Sequence, residues 1–278
     1  MAVFLKIFLD PVLRRLLINK QINFLCGLPR AGNTLFASIM NQNPRIAATP
    51  NSIVNEICRY TEKIKRGEQF LNFPYSDSLD NVLSNIFSNY YQNWDYDYII
   101  DRGPWGAPPN LNFLKNYLGQ EIKIIVLVRD LKEVLASFLK HSYEHPDSFV
   151  NKGWAKTDEE KCDMLMNKEG IIVTELIGIH HLTQIYYNKQ YAHLIEYNDL
   201  VDKPKEIIDN VYKFLDIPSF EHNFDKFEQL TVQGQYIDDT IVGKDLHTIK
   251  ENGLIKTKHN PLPQKVLDSF DDKLNLWK

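Results

Sequence analysis

The sequence lacks the cysteine framework of a disulfide-stapled domain. Cys26, Cys58 and Cys162 are odd in number and widely spaced, which argues against such a scaffold and for a reducing compartment. Cys26 lies in an apolar run and reads as core packing. An excess of positive charge is also missing. Lys and Arg number 32 against 36 Asp and Glu, giving a net charge of −4 and a pI near 6.1, so no electrostatic footprint for nucleic acid is expected. No N-x-[ST] acceptor, G-x-S-x-G elbow or H-E-x-x-H occurs, which leaves glycosylation, serine-hydrolase and zinc-protease readings without support. His141 and His145 are spaced i, i+4, but no third ligand lies near them in sequence, so no metal is expected. His180 and His181 read as packing or surface residues. Repeats, low-complexity tracts and a Pro/Gly/Ser-rich linker are absent, and no apolar run can span a bilayer. The apolar start, from Met1 to Leu9, is short and has neither a basic leader nor a cleavage site. It reads as a helix packed on the domain, with contact to a membrane surface as the alternative. A cytoplasmic protein with no transmembrane segment is expected.

What is present suits a large core: 278 residues, 44% of them hydrophobic. Four apolar runs predict buried strands at 22–26, 96–100, 122–128 and 191–196. The third is nearly continuous Ile, Val and Leu, as in a parallel strand covered on both faces. Helical patterns are read over 34–41, 52–65, 78–93, 111–118, 132–141, 170–188 and 203–215. Alternating strands and helices predict an α/β fold with a central parallel sheet. Ligands of such sheets bind beyond the carboxyl ends of the strands. That rim gathers 27–34, Asp101 and Arg102, Arg129, and Tyr197. Residues 1–278 read as a single domain with a core of about 20–224. The polar remainder, 225–278, reads as a C-terminal region whose segment 234–258 either closes over a ligand or is a solvated excursion.

Gly27-Leu28-Pro29-Arg30-Ala31-Gly32-Asn33-Thr34 is nearly a phosphate-binding loop. It follows a strand and opens a helix, the context in which backbone N–H groups cradle a phosphate. This predicts a P-loop NTPase-like three-layer fold. Asn33 stands where a nucleotide triphosphatase needs Lys, and the nearby cation is Arg30, inside the loop. A second motif runs from Ile124 to Ser137. Arg129 sits at a strand end and Ser137 two turns into the next helix, where a guanidinium fork and a hydroxyl can meet on one phosphate. Alternatively, Arg129 pairs with Asp130 or another carboxylate and Ser137 is a helix-surface residue. Taken together, the two motifs describe a nucleotide with phosphate at both ends.

These motifs resemble those of the sulfotransferases that use 3′-phosphoadenosine 5′-phosphosulfate (PAPS). The resemblance rests on residues 27–34, on Val-Arg-Asp-Leu-Lys-Glu-Val-Leu-Ala-Ser at 128–137, on Ile-Glu-Tyr-Asn-Asp-Leu at 195–200 and on Phe-Leu-Asp-Ile-Pro at 214–218. It spans roughly 22–224 and looks closest to the bacterial and tyrosylprotein-like branches. It implies that Arg30, Ala31, Gly32, Asn33, Thr34 and Leu35 form the 5′-phosphosulfate loop, and that Arg129 and Ser137 bind the 3′-phosphate. It puts His141 near that phosphate and has Tyr197 contact the nucleotide, with PAP (3′-phosphoadenosine 5′-phosphate) as product. Ala31 and Asn33 replace the usual Ser and Ser/Thr, and Leu131 replaces a Pro that presets a helix start.

The family carries a Lys near the strand end where Asp101-Arg102-Gly103 stands, so Arg102 looks like its substitute. With Arg30 it would stabilise charge as the S–O bond breaks. The alternative is an ion pair between Arg102 and Asp101. The family's general bases have no counterpart here: 48–52 holds no carboxylate, and Pro104 occupies the other position. Asp101 and Glu56 are left as candidates, Glu56 alternatively being an ordinary helix-surface residue. The acceptor is a hydroxyl or amine of a small molecule, sugar, lipid or peptide. It is expected near Trp105, Tyr75 or Trp94, unless these are core or surface aromatics. Two rivals stand beside sulfuryl transfer. One is a P-loop phosphotransferase, for which Asp101 and Asp130 would have to serve magnesium. The other is a nucleotide-binding protein without catalysis.

Overall fold

Five strands form one parallel sheet in the order β2-β3-β1-β4-β5. They are β1 (Gln21–Gly27), β2 (Ile46–Ala48), β3 (Tyr98–Arg102), β4 (Ile124–Val128) and β5 (Ala192–Glu196). The computed structural model describes residues 20–185, 191–229, 231–236, 239–240, 243–249, 254–256, 261–270, 275 and 277. The apolar start of the chain, and the last residues, 186–188, of the helix expected over 170–188, lie outside the described residues. Every residue of β4 is buried, as its unbroken Ile/Val/Leu run predicts for a strand covered on both faces. The four strands expected from the sequence are all present. The fifth, β2, is three residues long, too short to leave a periodic signal.

Chain order and spatial order together place the ligand crevice. From β1 the chain passes through α1 (Asn33–Met40) to the edge strand β2, then back to β3 beside β1. Only afterwards does it cross to the other side of β1 to lay down β4 and β5. A crevice opens at the carboxyl end of the strand where the winding reverses, which here is the end of β1. The register brings the strand ends level. Leu25 pairs with Arg102, Gly27 with Leu127, and Val128 with Glu196.

The helices before β4 are more divided than the sequence pattern implies. They are α2 (Val54–Lys63), α3 (Glu68–Asn72), α4 (Ser76–Ser84), α5 (Ile86–Tyr90) and α6 (Pro108–Tyr117). The span 78–93 breaks at Asn85, whose side-chain amide donates 2.8 Å to the Asn81 carbonyl and whose φ of −104° leaves the helical region. After β4 come α7 (Leu131–Glu144), α8 (Phe149–Lys152), α9 (Asp158–Met166) and α10 (Ile171–His180), followed past β5 by α11 (Tyr197–Asp202) and α12 (Pro204–Leu215). Asp130 caps α7 by accepting from the Lys132 N–H at 3.0 Å. A side-chain cap is enough to start the helix, so Leu131 serves where a Pro would otherwise preset it. A capping box, Thr157 with Glu160, starts α9. A two-stranded ribbon of Thr231–Val232 and Gln235–Tyr236, and a last helix at Gln264–Ser269, lie in the C-terminal region. Among the described residues no helix is long and apolar enough to cross a membrane.

The core beneath β1 and β3 encloses one carboxyl group. Asp101 is fully buried, accepting from the Trp105 indole at 2.8 Å and from the Tyr91 hydroxyl. Burial pushes its pKa up to about 6, against the opposing pull of these donors. Above its unfolded value, a raised carboxyl pKa means the folded chain holds the proton longer, so stability falls as pH rises through this window. Asp101→Asn removes that titration. In urea unfolding, the variant should gain on the wild type by about 2 kcal/mol as pH rises from about 4 to about 6. A difference that stays constant over that range would refute the assignment.

Candidate active site

β1 ends on Gly27, whose φ is 137° and where an added Cβ would lie 2.1 Å from the Leu127 carbonyl oxygen. Only glycine lets the chain leave the sheet this close to β4. The loop then turns through Arg30 at φ 63° and Gly32 at φ 90° into α1. Left-handed backbone at a non-glycine residue is strained and is held by its surroundings. Asn33 supplies part of that hold, its side-chain amide donating to the Leu28 carbonyl at 2.8 Å across the loop. At the position where a triphosphatase has Lys, this chain therefore uses a neutral side chain that braces the loop. The first turn of α1 has no acidic residue and no side-chain cap. Its N–H groups open towards a cleft of about 730 Å³ that Gly32, Asn33, Thr34 and Leu35 help to line. Such groups have no partner within the helix and carry its positive end.

Arg129 closes the other side of this loop. Buried at the end of β4, it donates 2.8 Å to Glu133 and 3.2 Å to the Arg30 carbonyl. Its guanidinium lies 4.2 Å from the centre of the Tyr197 ring. That ring occupies the space a Gly32 side chain would fill, 2.9 Å from the Cβ position. Arg30 donates 3.1 Å to the Ser137 hydroxyl and 2.9 Å to the Leu246 carbonyl. Burial, and then the charge of Arg129, lower the Arg30 pKa. Two guanidinium groups and a hydroxyl thus converge beside a helix N-terminus, and the two cations disfavour each other. An anion fits this arrangement on every physical count.

His141 lines the same cleft as Arg129 and Ser137, one turn further along α7. Its Nε2 lies 2.8 Å from the Lys244 carbonyl and its Nδ1 2.9 Å from the Ser148 hydroxyl. A carbonyl only accepts, so Nε2 carries the proton and Nδ1 accepts from Ser148. Burial lowers its pKa. The ring lines the cleft, yet it serves to tie 243–249 to α7. His145 lies against it with the rings tilted by 33° and their centres 4.6 Å apart. Among the described residues, no group of three or more His, Cys, Asp or Glu is placed to hold a metal.

On the opposite side of the loop stands Arg102. Successive strand residues face opposite sides of a sheet, which separates Arg102 from Asp101. Arg102 points into the cleft, donating to Glu175 on α10 at 2.9 Å and to the Gly27 carbonyl at 3.2 Å. Asp101 points away into the core. Asp101 is therefore neither the ion-pair partner of Arg102 nor a rim base. Glu56 is exposed and does not line the cleft. The aromatic expectations change as well. Trp105 is fully buried in the core and Tyr75 is 62% exposed; neither they nor Trp94 line the cleft. Glu175 itself escaped the sequence reading. Its signal is a single carboxylate inside the apolar run Ile171-Ile172-Val173-Thr174-Glu175-Leu176-Ile177. His247, hydrogen-bonded through Nδ1 to Asp239 at 2.5 Å, also lines the cleft and was hidden in the polar segment 234–258.

A family model described as the sulfotransferase domain matches residues 108–275, more than half of the chain. The chain belongs to the sulfotransferase family. It is an enzyme of that family and its chemistry is sulfuryl transfer; nothing in the match favours a phosphotransferase. No curated protein matches the chain. Among solved structures, it is similar to a sulfotransferase domain from the curacin biosynthetic pathway, with 16% identity, 90% of each chain covered and a TM-score of 0.49. The sulfotransferase domain of the Synechococcus PCC 7002 olefin synthase shares 16% identity over 93% of this chain and 94% of that one, with a TM-score of 0.48. Mouse sulfotransferase SULT7A1, complexed with PAP, shares 14% identity over 73% of this chain and 59% of that one, with a TM-score of 0.47.

The packing of this sulfotransferase's loop against Tyr197 is testable. Gly32→Ala should cost at least about 1 kcal/mol in urea unfolding, because the backbone strain and the ring contact add. Combining it with Tyr197→Ala removes the contact and leaves the strain, so the double variant should lose less than the sum of the two. Strict additivity would show that the ring does not press on Gly32.

Proposed function

We propose that the donor is PAPS and that the enzyme transfers its sulfuryl group to a hydroxyl or amine. The supporting observation is the gathering of two guanidinium groups and a hydroxyl beside the α1 N-terminus, Arg30 donating to Ser137 and Arg129 to the Arg30 carbonyl. In this reading the amides of 31–35 and Arg30 hold the 5′-phosphosulfate. Arg129 and Ser137 select the 3′-phosphate, and Tyr197, stacked on Arg129, fixes the nucleotide's place. His141 acts on that phosphate indirectly, by holding 243–249 against α7. Arg102 stabilises the charge that builds on the oxygen between sulfur and phosphorus as that bond breaks.

Two features of the chain follow from the same reading. Residues 1–278 act as one domain, and 225–278 act as a lid. The Leu246 carbonyl now accepts from Arg30, and an arriving 5′-phosphosulfate competes for that donor. Acceptors from small alcohols to sugars, lipids and peptides all fit a rim whose walls are separate loops and helices.

Calorimetry tests the donor. PAP should bind about 100-fold tighter than AMP, two charge-assisted contacts to the 3′-phosphate being worth about 3 kcal/mol together. Arg129→Ala should reduce that preference to tenfold or less. Equal affinity for PAP and AMP, or tighter binding of Mg·ATP, would overturn the assignment.

A further inference from the structure

An acceptor hydroxyl or amine has to give up a proton as it attacks, and neither Asp101 nor Glu56 reaches the cleft. Three other carboxylates do: Glu144, Asp245 and Glu175. The side chains of Glu144 and Asp245 are 56% and 58% exposed and lie beside Lys140 and His145. Glu175 is different. Its side chain is only 12% exposed and sits 2.9 Å from Arg102, the cation at the end of β3. The helix that carries it, α10, is otherwise apolar in its first two turns apart from Thr174. Water-poor surroundings keep a carboxylate basic.

We propose that Glu175 is the general base of the transfer, taking the proton from the acceptor beside Arg102. The proposal rests on sulfuryl transfer from PAPS. A bond forms between the acceptor oxygen or nitrogen and sulfur. The bond between sulfur and the bridging oxygen breaks, its electron pair leaving on the phosphate of PAP. The acceptor's proton passes to the Glu175 carboxylate and then to water. The ion pair also explains how one residue serves two steps. Glu175 orients Arg102 before reaction and, as Arg102 turns to the developing charge, becomes the stronger base. The charged and titratable groups facing it are Arg102 from β3 and Cys26 from β1. Burial raises its pKa while Arg102 opposes the rise.

The test uses the full chain, with PAPS as donor and both 4-nitrophenol and water as acceptors. Release of inorganic sulfate in single turnovers reports transfer to water. PAP affinity is read separately by calorimetry. Glu175→Gln should leave PAP affinity within about threefold of wild type and slow transfer at least 100-fold. It should also abolish the acid limb of the pH–rate profile. Glu175→Ala should recover activity with added formate, which a purely orienting role would not allow. Glu175→Asp, which keeps the charge, covers the case in which the neutral variants do not fold, and should retain a displaced acid limb. Full transfer by Glu175→Gln would overturn the proposal, and loss of the acid limb in His247→Asn instead would hand the role to His247. A wild type that binds PAP but releases sulfate no faster than free PAPS would also overturn it. Failure of the wild type to bind PAP at all would instead remove the donor reading on which the proposal stands.

Discussion

The guanidinium of Arg129 joins three regions that the sequence keeps far apart. It follows β4, donates to the loop after β1 through the Arg30 carbonyl, pairs with Glu133 on α7 and lies over the Tyr197 ring after β5. Tyr197 in turn rests on Gly32, so the loop's glycine and the strand-end arginine are fixed by one ring. Such a junction cannot be assembled from neighbours in sequence. It requires that the sheet first bring the ends of β1, β4 and β5 level, which the register does. The apolar interior of β4 thereby becomes a condition for the polar site above it. A shift of one residue in that strand would turn every side chain to the opposite face and move Arg129 off the loop.

Gathering cations in this way is costly in the empty protein. Removing an ion from water costs several kcal/mol unless partners compensate, and Arg30 and Arg129 disfavour each other. Arg129 is met by the partly exposed Glu133 carboxylate, whereas Arg30 is met by neutral acceptors, the Ser137 hydroxyl and the Leu246 carbonyl. Neutral oxygens leave the positive potential standing where a carboxylate would cancel it. The site is thus arranged to be completed by an anion, and the same potential that strains the empty rim would supply the affinity for one. Asn33 belongs to this economy of charge. A lysine there would add a further cation beside Arg30, whereas the amide braces the loop through Leu28 without one.

The sequence was informative where function is written into contiguous residues and blind where it depends on distance. The strand-loop-helix signature located the loop, and the strand-end rule put Arg102, Arg129 and Tyr197 on one rim. Both rely on local pattern. The rule failed at Asp101 because a strand end contributes alternate residues to opposite faces, and spacing alone does not say which residue faces the cleft. Arg102 does, and Asp101 enters the core with Trp105 and Tyr91. The resemblance puts His141 near the second phosphate, one turn beyond Ser137 on the same helix. Its partners, Lys244 and Ser148, belong to segments whose approach no helical periodicity encodes. Glu175 was missed because a lone charge in an apolar helix carries no motif; only the packing of α10 against β1 gives it a neighbour.

The sheet order also divides the rim into two halves of unlike character. The loop after β1, with the ends of β4 and β5, forms a wall of amides and guanidinium groups suited to a nucleotide. The ends of β3 and β2 form the other wall, where Thr49 accepts from the Arg102 backbone N–H at 2.9 Å and leads into Pro50 and Asn51. Arg102 stands at the seam, one guanidinium nitrogen donating to both the Gly27 carbonyl and Glu175. A group crossing from one half to the other must pass this residue. An acceptor reaching Arg102 would meet Glu175 with it, where both adjoin Gly27 at the start of the loop. In-line displacement puts attacking and departing atoms on opposite sides of the sulfur, and that calls for a rim with two unlike walls. It follows from the winding reversal at β1 that put strands of different origin on either side of a single glycine loop.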